Sequence, residues 1–250
     1  MRRIALLLCV GLPVFAMAPA FAAEVSAAVA ANFTKPAEEI AAAFTAKTGD
    51  TVTFSFGATG ALYTQITQGA PFEVFLSADN KRPAQAVTDG LGVDGSVFTY
   101  AVGKVVLYSP ALDLTDGAVV LSANQFQHLA IADPKTAPYG AAAMETIEKL
   151  GLTGALTPKL VTGENISQAL QFIDSGNAEL GFVALSQVID KPALQVWRVP
   201  AEDYSPILQD AVLLKTGEAN PAAAAFLLFL KSDEARAIME KYGYEAGSGT

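Results

Sequence analysis

Cysteine is almost missing from this chain. The one in the sequence, Cys9, lies in the N-terminal segment, so the body of the protein has no thiol, no disulfide and no Cys-based metal site. Histidine is equally scarce: His128 stands alone in Asn124-Gln125-Phe126-Gln127-His128-Leu129, with no ligand or triad pattern beside it. No Gly-x-Ser-x-Gly, His-Glu-x-x-His or Walker-type run is present, so the chain offers no catalytic constellation and reads as a protein that is not an enzyme. Positive charge is thin, with 16 Lys and Arg against 25 Asp and Glu, which argues against nucleic acid and anionic membranes as partners. The single tryptophan, Trp197, and the other aromatics have no basic residues interleaved with them and read as core. Beyond the N-terminal segment no apolar run is long enough to span a bilayer.

The N-terminal segment is itself informative. Arg2 and Arg3, an apolar run over 4–17 and Ala20-Phe21-Ala22 make a secretory leader over 1–22, with the mature chain expected to start at Ala23. A lipoprotein reading of Cys9 is disfavoured, because the apolar run continues past it and no acylation-type site precedes it. Losing the two arginines takes the formal net charge from −9 to −11. An anionic ligand would therefore have to be attracted locally, against the overall field. With 52% hydrophobic residues, the remaining chain can bury a core sufficient for stability.

Strand-like and helix-like segments alternate along the chain, which predicts an α/β fold with mostly parallel pairing. Strands are expected over 25–30, 51–56, 74–77, 100–109, 129–132, 160–162, 180–184, 194–199 and 208–214. Thr34-Lys35-Pro36-Ala37-Glu38-Glu39 reads as a helix start with a capping hydroxyl and acids near the positive end of the dipole, and Gly49 as its stop. Further helices are expected to end near Gly69, Gly151 and Gly176, and Pro221 to open a last apolar helix, followed by a short one near 233–242.

The most telling stretch is Ser55-Phe56-Gly57-Ala58-Thr59-Gly60-Ala61-Leu62, where an alternating strand runs through a Gly/Thr turn into a helix. The first N–H groups of a helix have no intrahelical partner and carry the positive end of its dipole, so such a turn can bind an oxyanion without a formal cation. Thr59 fits an N-cap, and the turn can equally be a cap and nothing more. Three more strand-to-helix turns share the pattern: Ala31-Asn32-Phe33-Thr34, Pro138-Tyr139-Gly140-Ala141 and Gly163-Glu164-Asn165-Ile166. In open α/β sheets ligands collect at the carboxyl ends of the strands, where these turns belong.

The runs Val29-Ala30-Ala31-Asn32-Phe33-Thr34, Ser55 to Leu62, and Gly69-Ala70-Pro71-Phe72-Glu73-Val74-Phe75-Leu76-Ser77-Ala78-Asp79 resemble the periplasmic molybdate-binding proteins of ABC importers. The similarity continues at Ala132-Asp133-Pro134, Leu180-Gly181-Phe182-Val183-Ala184 and Tyr242-Gly243-Tyr244, in order over essentially the whole mature chain. The resemblance implies a two-lobed type II periplasmic binding protein fold, with lobe one at 23–101 and 209–250, lobe two at 102–208, and the ligand clamped between them. Crossing strands are expected near 100–103 and 206–210. It further implies a periplasmic, monomeric carrier without a cofactor, whose partners are the molybdate or tungstate oxyanion and a membrane permease, and whose only metal is that of the oxyanion.

By the same resemblance the ligand-binding residues are Asn32, through its backbone N–H and its side-chain amide, Thr59, Tyr139 and Ile166, with Ala31, Ala58 and Gly60 beside them. One departure stands out: Ala184 occupies a place where some members have a ligand-binding Tyr. Molybdate is unprotonated near neutral pH and only accepts hydrogen bonds, so neutral donors suit it. Phosphate keeps a proton and calls for a buried carboxylate; Glu164, the only acid in the four turns, is expected to be exposed. Sulfate, phosphate or a small organic anion remain alternative ligands, and an exported enzyme on the same fold a further one.

Overall fold

The computed structural model describes residues 22–247; Cys9 and the leader up to 21 lie outside these residues. In chain order the elements are β1 (Glu24–Ala30), α1 (Thr34–Thr48), β2 (Thr51–Gly57), α2 (Thr59–Thr67), β3 (Val74–Leu76), α3 (Lys81–Thr88), β4 (Phe98–Gly103) and β5 (Val105–Tyr108). There follow α4 (Gly117–Ala123), β6 (Leu129–Ala132), α5 (Pro138–Lys149), α6 (Thr153–Leu156), β7 (Leu160–Gly163), α7 (Ile166–Asp174), β8 (Leu180–Ala184) and β9 (Val196–Arg198). The chain closes with β10 (Ile207–Leu213), α8 (Pro221–Leu230), α9 (Asp233–Lys241) and β11 (Glu245–Ala246).

These strands form two sheets, in the orders β11-β4-β10-β3-β1-β2 and β7-β6-β8-β5-β9. Each sheet is the centre of one lobe. The stretch expected as one strand over 100–109 breaks at Lys104, where the chain leaves the first sheet and enters the second. It returns between β9 and β10. Pairing is mixed, a correction to the mostly parallel expectation. β1 runs parallel to β2 and β3, and β6 to β7 and β8. By contrast β10 is antiparallel to β3 and β4, β11 to β4, and β5 to β8 and β9. Strand-helix-strand units build the parallel part of each sheet, and the strands that carry the chain across from the other lobe enter in the opposite sense.

Alternation along the strands sends side chains to two faces of the first sheet. Val25, Ala27 and Val29 of β1 join Phe33, Ile40, Phe44 and Phe226 beneath α1 and α8. Ala28 joins Leu62, Tyr63, Ile66 and Phe75 beneath α2. The second lobe has its own cluster around Leu107, Ile131, Ile147, Ile173 and Phe182, and Ala30, Ala31, Ala58 and Ala78 of the first lobe pack against it across the cleft.

Two expected roles at the start of α1 are filled differently. A short 3-10 turn at Ala31–Phe33 precedes α1, and the Thr34 hydroxyl donates to the Ala31 carbonyl at 2.9 Å rather than capping the helix. Glu39 does not compensate a dipole; its carboxylate takes hydrogen bonds from Lys241 at 2.8 Å and Tyr242 at 2.9 Å, tying α1 to the C-terminal helix. The stops are as read: Gly49, Gly69, Gly151 and Gly176 all take positive φ, between 73° and 85°.

Gly140 sets the distance between α5 and the end of β6, because a Cβ there would collide with the Ala132 carbonyl. Gly140→Ala is expected to lower the unfolding free energy by about 1–3 kcal/mol, as overpacking does. Urea denaturation checks this, and an unshifted midpoint would show that helix and strand can separate without loss.

Candidate functional site

The turns after β1 and β2 lie at the carboxyl ends of parallel strands in one lobe, and those after β6 and β7 at the corresponding ends in the other. The lobes face each other with these ends inward, so all four turns meet. Between them is a small cavity, with about 10 Å³ open to the centre of a water-sized sphere. That is about the space of one water molecule, too little for an extended organic ligand. Its lining includes Ala31 and Asn32 from the first turn, Ala58 and Thr59 from the second, Tyr139 from the third and Ile166 from the fourth. Gly60, expected beside them, is not part of the lining. Asn32, Thr59, Tyr139 and Ile166 are each no more than 4% exposed. No acidic or basic side chain lines the cavity, and Glu164 is exposed at the protein surface.

The donors can be counted from the helix starts. Thr59 is the first residue of α2, with Ala58 in the cap position, a correction to its reading as the cap itself. The Thr59 Oγ1 accepts the Ala78 N–H at 3.0 Å, which leaves the hydroxyl proton for another acceptor. Asn165 caps α7 by accepting from the N–H groups of Ser167 and Gln168 at 3.0 and 3.1 Å, so the N–H of Ile166 is left over. Tyr139 follows Pro138 in the first turn of α5, where a backbone N–H has no intrahelical acceptor. Gly60 donates its N–H across the cleft to the Thr136 carbonyl at 2.8 Å.

The side chain of Asn32 corrects a second expectation. Both hydrogens of its amide are committed elsewhere, to Gln209 Oε1 at 2.5 Å and to Tyr244 Oη at 2.9 Å, so none is left for the cavity. The reason is burial: an amide this deep must satisfy its donors, and β10 and the segment before β11 bring acceptors to it. Ala184, where a phenol was found lacking, is not part of the lining. The Tyr139 hydroxyl does not replace it, because it lies against Gly103 at the crossing between lobes, where any Cβ would collide with it. The sequence reading missed Gln209, Tyr244 and Ser186. A polar pair, Gln209-Asp210, inside an otherwise apolar strand was the signal available.

This arrangement concentrates the positive ends of several helices on an uncharged space, the environment in which a small oxyanion is held by hydrogen bonds alone. A family model described as bacterial extracellular solute-binding protein matches residues 25–245. The chain belongs to that family. This solute-binding protein is 60% identical over 226 residues to the molybdate-binding protein ModA of Rhodobacter capsulatus, covering 90% of each chain. It is 54% identical over 227 residues to ModA of Azotobacter vinelandii, covering 89% of this chain and 90% of that one. Among solved structures, the periplasmic molybdate-binding protein of Azotobacter vinelandii superposes with a TM-score of 0.84 at 39% identity, over 88% of this chain and 98% of that one. The fold is therefore the two-lobed type II periplasmic binding protein fold.

Burial dominates the titration of the tyrosines around the site. It pushes the Tyr100 and Tyr139 phenols well above their usual range, and Tyr244 up to about 12. All three stay neutral donors at physiological pH. Unfolded phenols ionise near 10, so above that pH the folded state binds more protons than the unfolded one. The stabilising contribution is whole below pH 10 and is lost as pH rises toward and beyond 12. Unfolding midpoints are expected to be insensitive to these groups below pH 10 and to fall steeply above it; a flat profile from pH 10 to 12 would contradict the burial.

Proposed function

We propose that this protein captures molybdate between its lobes in the periplasm and delivers it, as a monomer, to the membrane permease of an ABC importer. The support is the uncharged cavity at four converging helix starts, together with high identity to proteins named as molybdate-binding along nearly the whole chain. The ligand-binding groups in this reading are the backbone N–H groups of Asn32, Thr59, Tyr139 and Ile166 and the Thr59 hydroxyl, with Ala31 and Ala58 completing the walls. The lobe division at 23–101 with 209–250, and 102–208, and cleavage after Ala22 belong to the same proposal.

A dianion that accepts everything offered needs no carboxylate near it, and none lines the cavity. This disfavours phosphate, whose remaining proton needs an acceptor. Sulfate has the charge and shape of molybdate but is smaller, so donors set at the radius of the larger ion would not all reach it at once. Tungstate is nearly isosteric with molybdate and is expected to bind alongside it. Hydrogen bonds to a charged group contribute roughly 1.5–3 kcal/mol each, and several in a desolvated site offset the cost of dehydrating and ordering the ion.

Thermal unfolding of the dialysed protein with molybdate, tungstate, sulfate and phosphate tests the ligand. Molybdate or tungstate at a thousand times the dissociation constant should add about 4 kcal/mol, roughly a 10 °C rise, with little response to the other two. Equal shifts with all four anions, or none, would refute the assignment. Thr59→Val should weaken molybdate binding by about 1–3 kcal/mol while Thr59→Ser retains it. Identical dissociation constants for both variants in titration calorimetry would remove the hydroxyl from the site.

A further inference from the structure

The turn that offers the Asn32 N–H is fastened on every other side. The Ala31 carbonyl accepts from Thr34 Oγ1 at 2.9 Å and from Ser167 Oγ at 3.4 Å. A trans peptide holds its N–H opposite its C=O, so anchoring that carbonyl aims the Asn32 N–H the other way. The next carbonyl, that of Asn32, accepts from Ser186 Oγ at 2.8 Å and from Tyr244 Oη at 2.9 Å. Tyr244 Oη also receives the Asn32 side-chain amide at 2.9 Å and lies 3.0 Å from Ser186 Oγ. Tyr244 thus grips Asn32 by main chain and side chain together, and Gln209 takes the second amide hydrogen.

The members come from both lobes. Asn32, Gln209 on β10 and Tyr244 beside β11 belong to the first sheet, whereas Ser186 follows β8 in the second. Asn32, Ser186, Gln209 and Tyr244 are all buried. Ser186 donates to the Asn32 carbonyl from the other lobe, so a movement that parts these two residues breaks the bond. An interaction present in one conformation alone shifts the equilibrium toward it by its own free energy.

We infer that the hydroxyls of Tyr244 and Ser186 are positioning groups of the anion site: Tyr244 fixes the Asn32 turn within the first lobe, Ser186 ties that turn to the second, and this lock, which does not line the cavity, sets how slowly a bound oxyanion escapes. The inference rests on the oxyanion-capture reading above. Release requires opening, and opening breaks the Ser186 bond to Asn32, so weakening the lock accelerates dissociation. Association proceeds through the open arrangement, where the lock is unmade, and is not affected.

Tyr244→Phe keeps the ring edge-to-face with Phe33, at 5.3 Å between centroids, and removes only the hydroxyl; Ser186→Ala removes the other partner. Stopped-flow measurement of molybdate association and dissociation on the purified protein and both variants provides the test, with unliganded unfolding midpoints measured alongside. Dissociation is expected to be about tenfold faster in each variant, association unchanged within about twofold, and the double variant less than additive. Dissociation equal to the unsubstituted protein overturns the inference, as does faster dissociation that tracks an equal loss of unliganded stability. Should one variant fail to fold, the other decides. Absence of molybdate binding by the unsubstituted protein overturns the capture reading and this one together, whereas binding with unchanged release overturns this one alone.

Discussion

A backbone N–H at the start of a helix has no partner within that helix, and a buried one must find a partner outside it. The cleft of this protein collects such groups from four helix starts. Most of the surrounding architecture follows from keeping charged side chains away from where the cavity lies. Alanines at 30, 31, 58, 78 and 137 keep the walls short enough for backbone to approach. Asn165 satisfies two N–H groups of α7 and stops before Ile166. Thr59 spends its lone pair on Ala78 and keeps its proton. A site assembled from peptide groups has no charge that titrates near neutral pH, and its geometry is set by whole helices instead of by rotamers.

Much of the frame was legible in the sequence because it depends on local rules. Strand positions follow alternation, and helix ends follow Gly49, Gly69, Gly151 and Gly176, whose positive φ only glycine adopts at low cost. The four turns were visible because a strand running directly into a capped helix is a local event. The sense of pairing was not, since β10 and β5 are strands whose partners are decided by where the chain returns from the other lobe. The run Gly69-Ala70-Pro71-Phe72-Glu73 carried the resemblance for a reason the structure supplies. Glu73 accepts from the Ser26 N–H and from the Asn220 side chain, both at 3.0 Å, and so joins β1 to the cap of α8.

What stayed hidden was side-chain direction at Asn32. A short amide in a turn can face a ligand or face the core, and nothing within a few residues decides between them. The choice is made by Gln209 and Tyr244, which lie 177 and 212 residues further along the chain. The same holds for Tyr139, whose phenol packs over Gly103 because that glycine alone leaves room at the crossing strand. Backbone donors in a turn are dictated locally and were foreseen; side chains that serve the join between lobes are dictated by tertiary contacts.

The strand order of the first sheet has a consequence for the birth of the molecule. β10 lies between β4 and β3, although more than a hundred residues separate it from either. During synthesis the first lobe therefore cannot complete its sheet: β3 and β4 must wait, unpaired with each other, until the whole second lobe and β10 have been made. Long-range pairing of this kind is slow, so the first lobe closes late. In the periplasmic reading proposed above, late closure would be an asset, because the topology itself postpones the compact state until most of the chain has been made.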